Sequence, residues 1–266
     1  MKKTLSLVLM SAMSLFGQDC DILKKFDEKS IQREVFIIID QTTPLTKKIR
    51  KNILVNIFGL IRPSNTVNLF TFSEYTKGKN VSLVDRYHFY SEIQPDTRYK
   101  TSMDELEEYD SCYKSYFNSM QKKLANDMLE NFKEDQSSKK SEILYSLKKV
   151  SNKAVKLSTA NKKIVVIASD MLENSNYLTL YKNTDLENLD IKKELSIIEK
   201  ENLFGDFNNA DIIVAGAGVV EKEEDYRNGK QLDKLEELWN EYFKKSNANP
   251  IIFSQELERP LSEIYK

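Results

Sequence analysis

The sequence predicts an α/β protein: a three-layer, doubly wound, mostly parallel sheet, with one inserted loop and helical segment. Three observations predict it. Continuous apolar runs rich in β-branched residues (Val35 to Ile39, Ile164 to Ala168, Ile212 to Ala215) have the pattern of strands buried on both faces. Stretches with helical apolar spacing alternate with these runs. Alternation of this kind joins parallel strands by right-handed crossovers, with helices above and below the sheet.

The N-terminus reads as an address. Lys2 and Lys3 precede an apolar run from Leu5 to Met10, and apolar character continues to Phe16. That is the layout of a secretory signal over residues 1–17, cut after Gly17. The run is too short for a permanent membrane-spanning helix, and the alternative is an uncleaved anchor. Gly17-Gln18-Asp19 before Cys20 lacks a lipobox, so a free periplasmic or secreted protein is expected rather than a lipoprotein. Residues 18–32 then form an N-terminal segment. Export permits a Cys20–Cys112 disulfide; the alternative is two separate thiols, because sequence gives no Cα separation.

The main α/β domain spans residues 33–266. Val35-Phe36-Ile37-Ile38-Ile39 is its first strand and ends in Asp40. Leu45, Ile49, Ile53, Ile57 and Leu60 follow at helical spacing, with Pro44 suited to a first turn. Arg62-Pro63-Ser64-Asn65 turns the chain into a second strand, Val67 to Phe72. After Gly78, Val81 to Val84 reads as a third strand on an edge. Residues 85–136 are polar and rich in tyrosine, and read as an insertion with a loop and a helix around 104–132. Ile143, Leu147, Val150, Ala154 and Leu157 mark the next helix, and Ile164 to Ala168 a strand ending at Ser169-Asp170. A helix over 191–198, the strand 211–216, a long helix through Trp239 and a last strand 250–254 complete the domain.

Composition narrows the chemistry. Lys and Arg total 40 against 41 Asp and Glu, a net charge of -1, so nothing pulls the chain generally toward nucleic acid or anionic lipid. The lysine pairs are interleaved with acids and read as solvated faces. One histidine excludes a multi-His metal site within one chain and most Ser-His and Cys-His catalytic schemes. That residue, His88, reads as structural. Gly216-Ala217-Gly218 lacks the third glycine of a dinucleotide loop and reads as a turn at a strand end. The tyrosines of the insertion offer contact area for a partner or pack over the sheet edge.

In a doubly wound sheet, ligands bind beyond the carboxyl ends of the strands. Two buried strands end there in carboxylates, Asp40 and Asp170, and Thr42 adds a hydroxyl. Hard oxygen donors of this kind suit Mg²⁺ or Ca²⁺. On these residues the chain resembles the von Willebrand factor A (vWA) domains over about residues 33–255. Their metal-ion-dependent adhesion site carries Asp-x-Ser-x-Ser after the first strand, a Thr from a second loop and an Asp after the fourth strand. Asp40-Gln41-Thr42 matches the first two positions, Ser141 looks like the second-loop Thr, and Asp170 looks like the fourth-strand Asp. Pro44 replaces the third hydroxyl, and Met171 stands where a Gly commonly follows the Asp. The resemblance implies a degenerate metal site of Asp40, Thr42, Ser141 and Asp170 in a non-enzymatic module that binds a protein partner. In the alternative, Asp40 and Thr42 only cap the helix that follows. A haloacid dehalogenase-like phosphohydrolase is the competing class, with Asp40 as nucleophile and Ser169 as its later hydroxyl. That class uses Asp-x-Asp, and here the second acid is Thr42.

Overall fold

A computed structural model describes residues 20–27, 31–43, 45–73, 81–133, 140–180, 185–219 and 229–266. The expected signal segment 1–17, Pro44, Gly78 and the acidic run 221–225 lie outside the described residues. The strands are β1 (Arg33–Asp40), β2 (Asn65–Phe72), β3 (Val81–Phe89), β4 (Lys162–Ala168), β5 (Ala210–Ala215) and β6 (Ala248–Ser254). They form one six-stranded sheet in the order β3-β2-β1-β4-β5-β6. Every pairing is parallel except β2 with β3. This is the doubly wound arrangement the alternation predicts, and β1 lies inside it with all residues from Glu34 to Asp40 buried.

The period of two in a strand splits β1 between two cores. Phe36 and Ile38 face one side, where they meet α5 (Ile143–Lys153), α6 (Ile191–Lys200) and α7 (Gly229–Lys245). Val35, Ile37 and Ile39 face the other, covered by α2 (Lys47–Leu60), α4 (Met103–Asn131) and α8 (Leu261–Ile264). On α7, Leu235, Leu238, Trp239, Tyr242 and Phe243 are buried, the stripe expected of a helix with one apolar face.

Two boundaries differ from expectation. The edge strand β3 runs to Phe89, past Val84, because Tyr87 and Phe89 alternate inward beneath α4 and continue the pleat. The first crossover helix starts at Lys47 rather than near Pro44. Thr46 is its N-cap, its hydroxyl accepting from the Ile49 N–H at 3.3 Å. Leu45 is buried ahead of the helix, within the loop that leaves β1. Asp40 and Thr42 therefore do not cap this helix.

Beyond β3, a short helix α3 (Pro95–Lys100) leads into α4, whose N-cap is Ser102. The N-terminal helix α1 (Asp21–Phe26) docks on α4, where Leu23 packs with Ile93 and Tyr109. Two ties hold it. Cys20 and Cys112 form a disulfide with Cα atoms 5.6 Å apart. The Asp27 carboxylate accepts from the Ser91 N–H and hydroxyl and lies 2.7 Å from His88 Nε2.

The disulfide joins residues separated by 92 positions. Replacing both cysteines by serine is expected to lower unfolding free energy by about 2–5 kcal/mol, the range for cross-links of this span. Urea unfolding of the variant measures the loss. Amide exchange should rise first in α1.

Candidate functional site

β1 and β4 are parallel neighbours, with Ile39 beside Ala168. Asp40, the last residue of β1, and Asp170, two residues past β4, consequently reach the same rim of the sheet. Both are buried, at 2% and 4% exposure.

Asp40 is ringed by hydroxyls. Its Oδ1 accepts from the Thr42 N–H at 2.9 Å and the Thr42 hydroxyl at 2.6 Å. Its Oδ2 has the hydroxyls of Ser169 at 2.8 Å, Thr43 at 3.0 Å and Ser141 at 3.3 Å. The Thr42 and Ser141 oxygens are 2.8 Å from each other. An ionised carboxylate only accepts, and a hydroxyl has one proton. The Ser169 hydroxyl also accepts from the Met171 N–H at 3.0 Å and the Thr43 hydroxyl from the Asp170 N–H at 3.2 Å, whereas Thr42 is half-buried at the rim. Among the described residues no lysine or arginine forms an ion pair with Asp40. Burial raises its pKa above the ordinary aspartate value, against the opposing effect of the Thr42, Ser169 and Thr43 hydrogen bonds.

Asp170 joins this group through its backbone. Its N–H donates to the Thr43 hydroxyl at 3.2 Å, and that hydroxyl donates in turn to Asp40. Its Oδ1 accepts from the Leu172 N–H at 2.9 Å. The structure thus brings Asp40, Thr42 and Ser141 into direct contact and sets Asp170 beside them with one oxygen committed to its own loop. The donors are all hard oxygens, the type suited to Mg²⁺ or Ca²⁺. Among the described residues no group of three or more His, Cys, Asp or Glu side chains is placed to hold a metal. Hydroxyls rather than acids would have to make up the ligand number.

The loops around this ring are anchored. Met171, the residue after Asp170, takes a left-handed φ of 58° and is fully buried, and its carbonyl accepts from Trp239 Nε1 at 2.9 Å. Left-handed backbone disfavours a residue with a Cβ, so the indole and the buried thioether hold a turn that glycine would enter freely. Gly216 has φ 101°, and a Cβ there would stand 2.7 Å from the Leu45 side chain and 3.0 Å from the Ser169 carbonyl. Glycine is needed at that strand end so that the loops after β1, β4 and β5 can meet.

Three participants lie outside the predicted metal set, although Ser169 is the later hydroxyl of the competing hydrolase class. Thr43 and Ser169 complete the ring around Asp40; their signal is only that they flank the predicted acids. Glu173, at 1% exposure, accepts from the Leu144 N–H at 2.9 Å and caps the amino end of α5 from a different segment of the chain. Nothing local in the sequence marks it. Burial pushes its pKa up to about 8, against the lowering effect of the Leu144, Ser175 and Ile143 donors.

No protein-family model and no curated protein matches the chain. Solved structures do. The pilus adhesin SpaC of Lactobacillus rhamnosus GG, in an open conformation, is 10% identical with a TM-score of 0.41 over 85% of this chain; the match spans 28% of that chain, so this chain is much the shorter. An aerotolerance-related membrane protein of Bacteroides fragilis is 11% identical with a TM-score of 0.37, covering 83% of this chain and 91% of that one. Proximal thread matrix protein 1 of the mussel byssus, solved with a zinc-occupied MIDAS motif, is 12% identical with a TM-score of 0.37, covering 90% and 46%. Likenesses at this level assign no function to this chain.

Because the Glu173 pKa is raised in the fold, the folded protein holds a proton that the unfolded chain releases. Its contribution to stability is complete below the ordinary glutamate range and is lost as pH rises toward about 8. Asp40 shifts in the same direction. Denaturant midpoints measured from pH 5 to pH 8.5 should therefore fall with rising pH. In Glu173→Gln the slope should flatten; an unchanged slope would locate the effect elsewhere.

Proposed function

We propose that this chain is an exported, non-enzymatic interaction module of vWA-like type whose recognition centre is the carboxyl rim of the sheet. One observation carries the reading: a deeply buried carboxylate whose two oxygens gather neutral hydroxyl and amide donors from three loops at one rim of the sheet. Burial raises the Asp40 pKa, and among the described residues no lysine or arginine pairs with it. Thr42, half-buried at the rim, offers the direct approach, with Ser141 beside it. In this reading Thr42 and Ser141 supply direct oxygens, while Asp40 and Asp170 act partly through water. Mg²⁺ or Ca²⁺ held there would supply an open coordination position for an acidic group of a protein partner. The Cys20–Cys112 disulfide supports a periplasmic or secreted location, since such bonds persist in oxidising compartments.

The enclosure of Asp40 counts against a phosphohydrolase. Both its oxygens carry hydrogen bonds, and neither is open for in-line attack on phosphorus. The residue two positions on, Thr42, is no general acid.

Calorimetric titration with Mg²⁺, Ca²⁺ and Mn²⁺ tests the reading. The wild type should bind at least one ion and gain thermal stability, Asp40→Asn should lose both effects, and Thr42→Ala should weaken binding tenfold or more. No binding heat and no thermal shift with any of the three ions defeats it. Phosphatase turnover abolished by Asp40→Asn would favour the hydrolase instead.

A further inference from the structure

Away from the carboxyl rim, the face of β2 and β3 on the α5 side has an open flank. The inserted helix α4 packs on the opposite face of these strands, with Leu124 and Met128 against Tyr87 and Phe89. On the α5 side this leaves a groove of about 510 Å³. Phe36, Phe70 and Val81 are among its apolar lining residues, with Leu83 and Leu157. Leu83, on β3, is 54% exposed, and Leu157, in the turn after α5, is 70% exposed. Large apolar side chains exposed together around one concavity mark a binding surface more often than a plain one.

The groove is also charged on one side. Arg86 from β3 and Lys149 and Lys153 from α5 line it. One acid lies among them, Glu34 at the start of β1, and its charge is already met. It accepts from the Asn68 amide at 2.9 Å, from Arg86 at 3.3 Å and from the Ser158 hydroxyl. The Arg86 side chain remains 55% exposed, so part of its guanidinium is open to a second acceptor. Apolar lining, cationic rim and a neutralised acid together select a ligand with an apolar body and an anionic head. The size selects further. A stable protein interface spreads over about 800 Å² on each side, whereas this volume is that of a small-molecule site, about 300–1,000 Å³.

We propose that the groove between α5 and the β2–β3 hairpin binds a single-chain fatty acid. Its alkyl chain lies over Phe36, Phe70 and Leu83, and its carboxylate is held by Arg86 and Lys153. The site stands on different residues from the Asp40 ring, so it holds or fails independently of the proposed cation.

The experiment uses the whole exported chain and saturated fatty acids below their critical micelle concentrations. Binding is read by calorimetry, and near-UV circular dichroism checks that the fold persists. Decanoate, dodecanoate and tetradecanoate should bind with affinity rising about fourfold per methylene at first, the factor for burying one such group. Dodecanol and dodecyltrimethylammonium should bind at least tenfold more weakly than dodecanoate. Leu83→Asp, at an exposed position, should abolish binding with the near-UV spectrum unchanged. Lys153→Glu should weaken dodecanoate five- to tenfold and leave dodecanol unaffected. The proposal is overturned by no heat with any acid up to its solubility limit, by equal affinity for dodecanoate and dodecyltrimethylammonium, or by undiminished binding in Leu83→Asp. Capture of an acidic apolar peptide at Leu83 with no response to fatty acid would also overturn it. Loss of binding in Asp40→Asn with full binding in Leu83→Asp would move the ligand to the carboxyl rim and refute the groove.

Discussion

A carboxylate lies under the rim of the sheet with neutral hydrogen-bond donors on both its oxygens, and the rest of the rim is arranged about it. The Asp40 oxygens gather hydroxyls from three separate segments: Thr42 and Thr43 after β1, Ser141 before α5, and Ser169 after β4. Each brings a loop with it. The loop after β4 must then turn sharply, which Met171 does in a left-handed conformation under the indole of Trp239. The loop after β5 must come close without a side chain, which Gly216 permits. A ring of hydrogen bonds to one buried anion in low dielectric is stronger than the same bonds in water, and any member left unpaired would be correspondingly expensive. The convergence of these loops and the polarity of the ring have the same cause.

The sheet was legible because its strands obey simple periodicities. Val35 to Ile39 can only be a strand covered on both faces, and such strands need helices above and below. The pairing of Asp40 with Asp170 at one rim followed from both acids ending such runs, provided β1 and β4 were neighbours; the strand order makes them so. What sequence did not reveal was long-range polar chemistry. Glu173 caps a helix that begins thirty positions before it, and neither residue pattern mentions the other. The Ser169 hydroxyl joins the ends of the neighbouring strands β4 and β1, a contact that depends on the strand order. Helix starts were misplaced where a polar loop imitates one: Pro44 and Leu45 have the right spacing, yet the cap is Thr46.

The insertion divides the two faces of the β2–β3 hairpin into unlike surfaces. On one face α4 lays Leu124 and Met128 over Tyr87 and Phe89, and its outer side carries the N-terminal helix. Among the described residues the other face meets α5 and the segment 157–159, and exposes Leu83 beside Arg86. A single added element thereby creates both a buried core and an open groove, because a sheet has two sides and a helix covers one.

The tie between Cys20 and Cys112 has a consequence for biogenesis. In a chain threaded amino end first into an oxidising compartment, the earlier sulfur arrives alone, and its mate follows only after 92 further residues. Meanwhile that thiol is open to mixed disulfides with oxidoreductases or with neighbouring chains. Closure then awaits passage of the first two strands, the edge strand and the first ten residues of the 29-residue helix α4. On the proposed export route, closure of this bond is therefore coupled to the order in which the segments emerge.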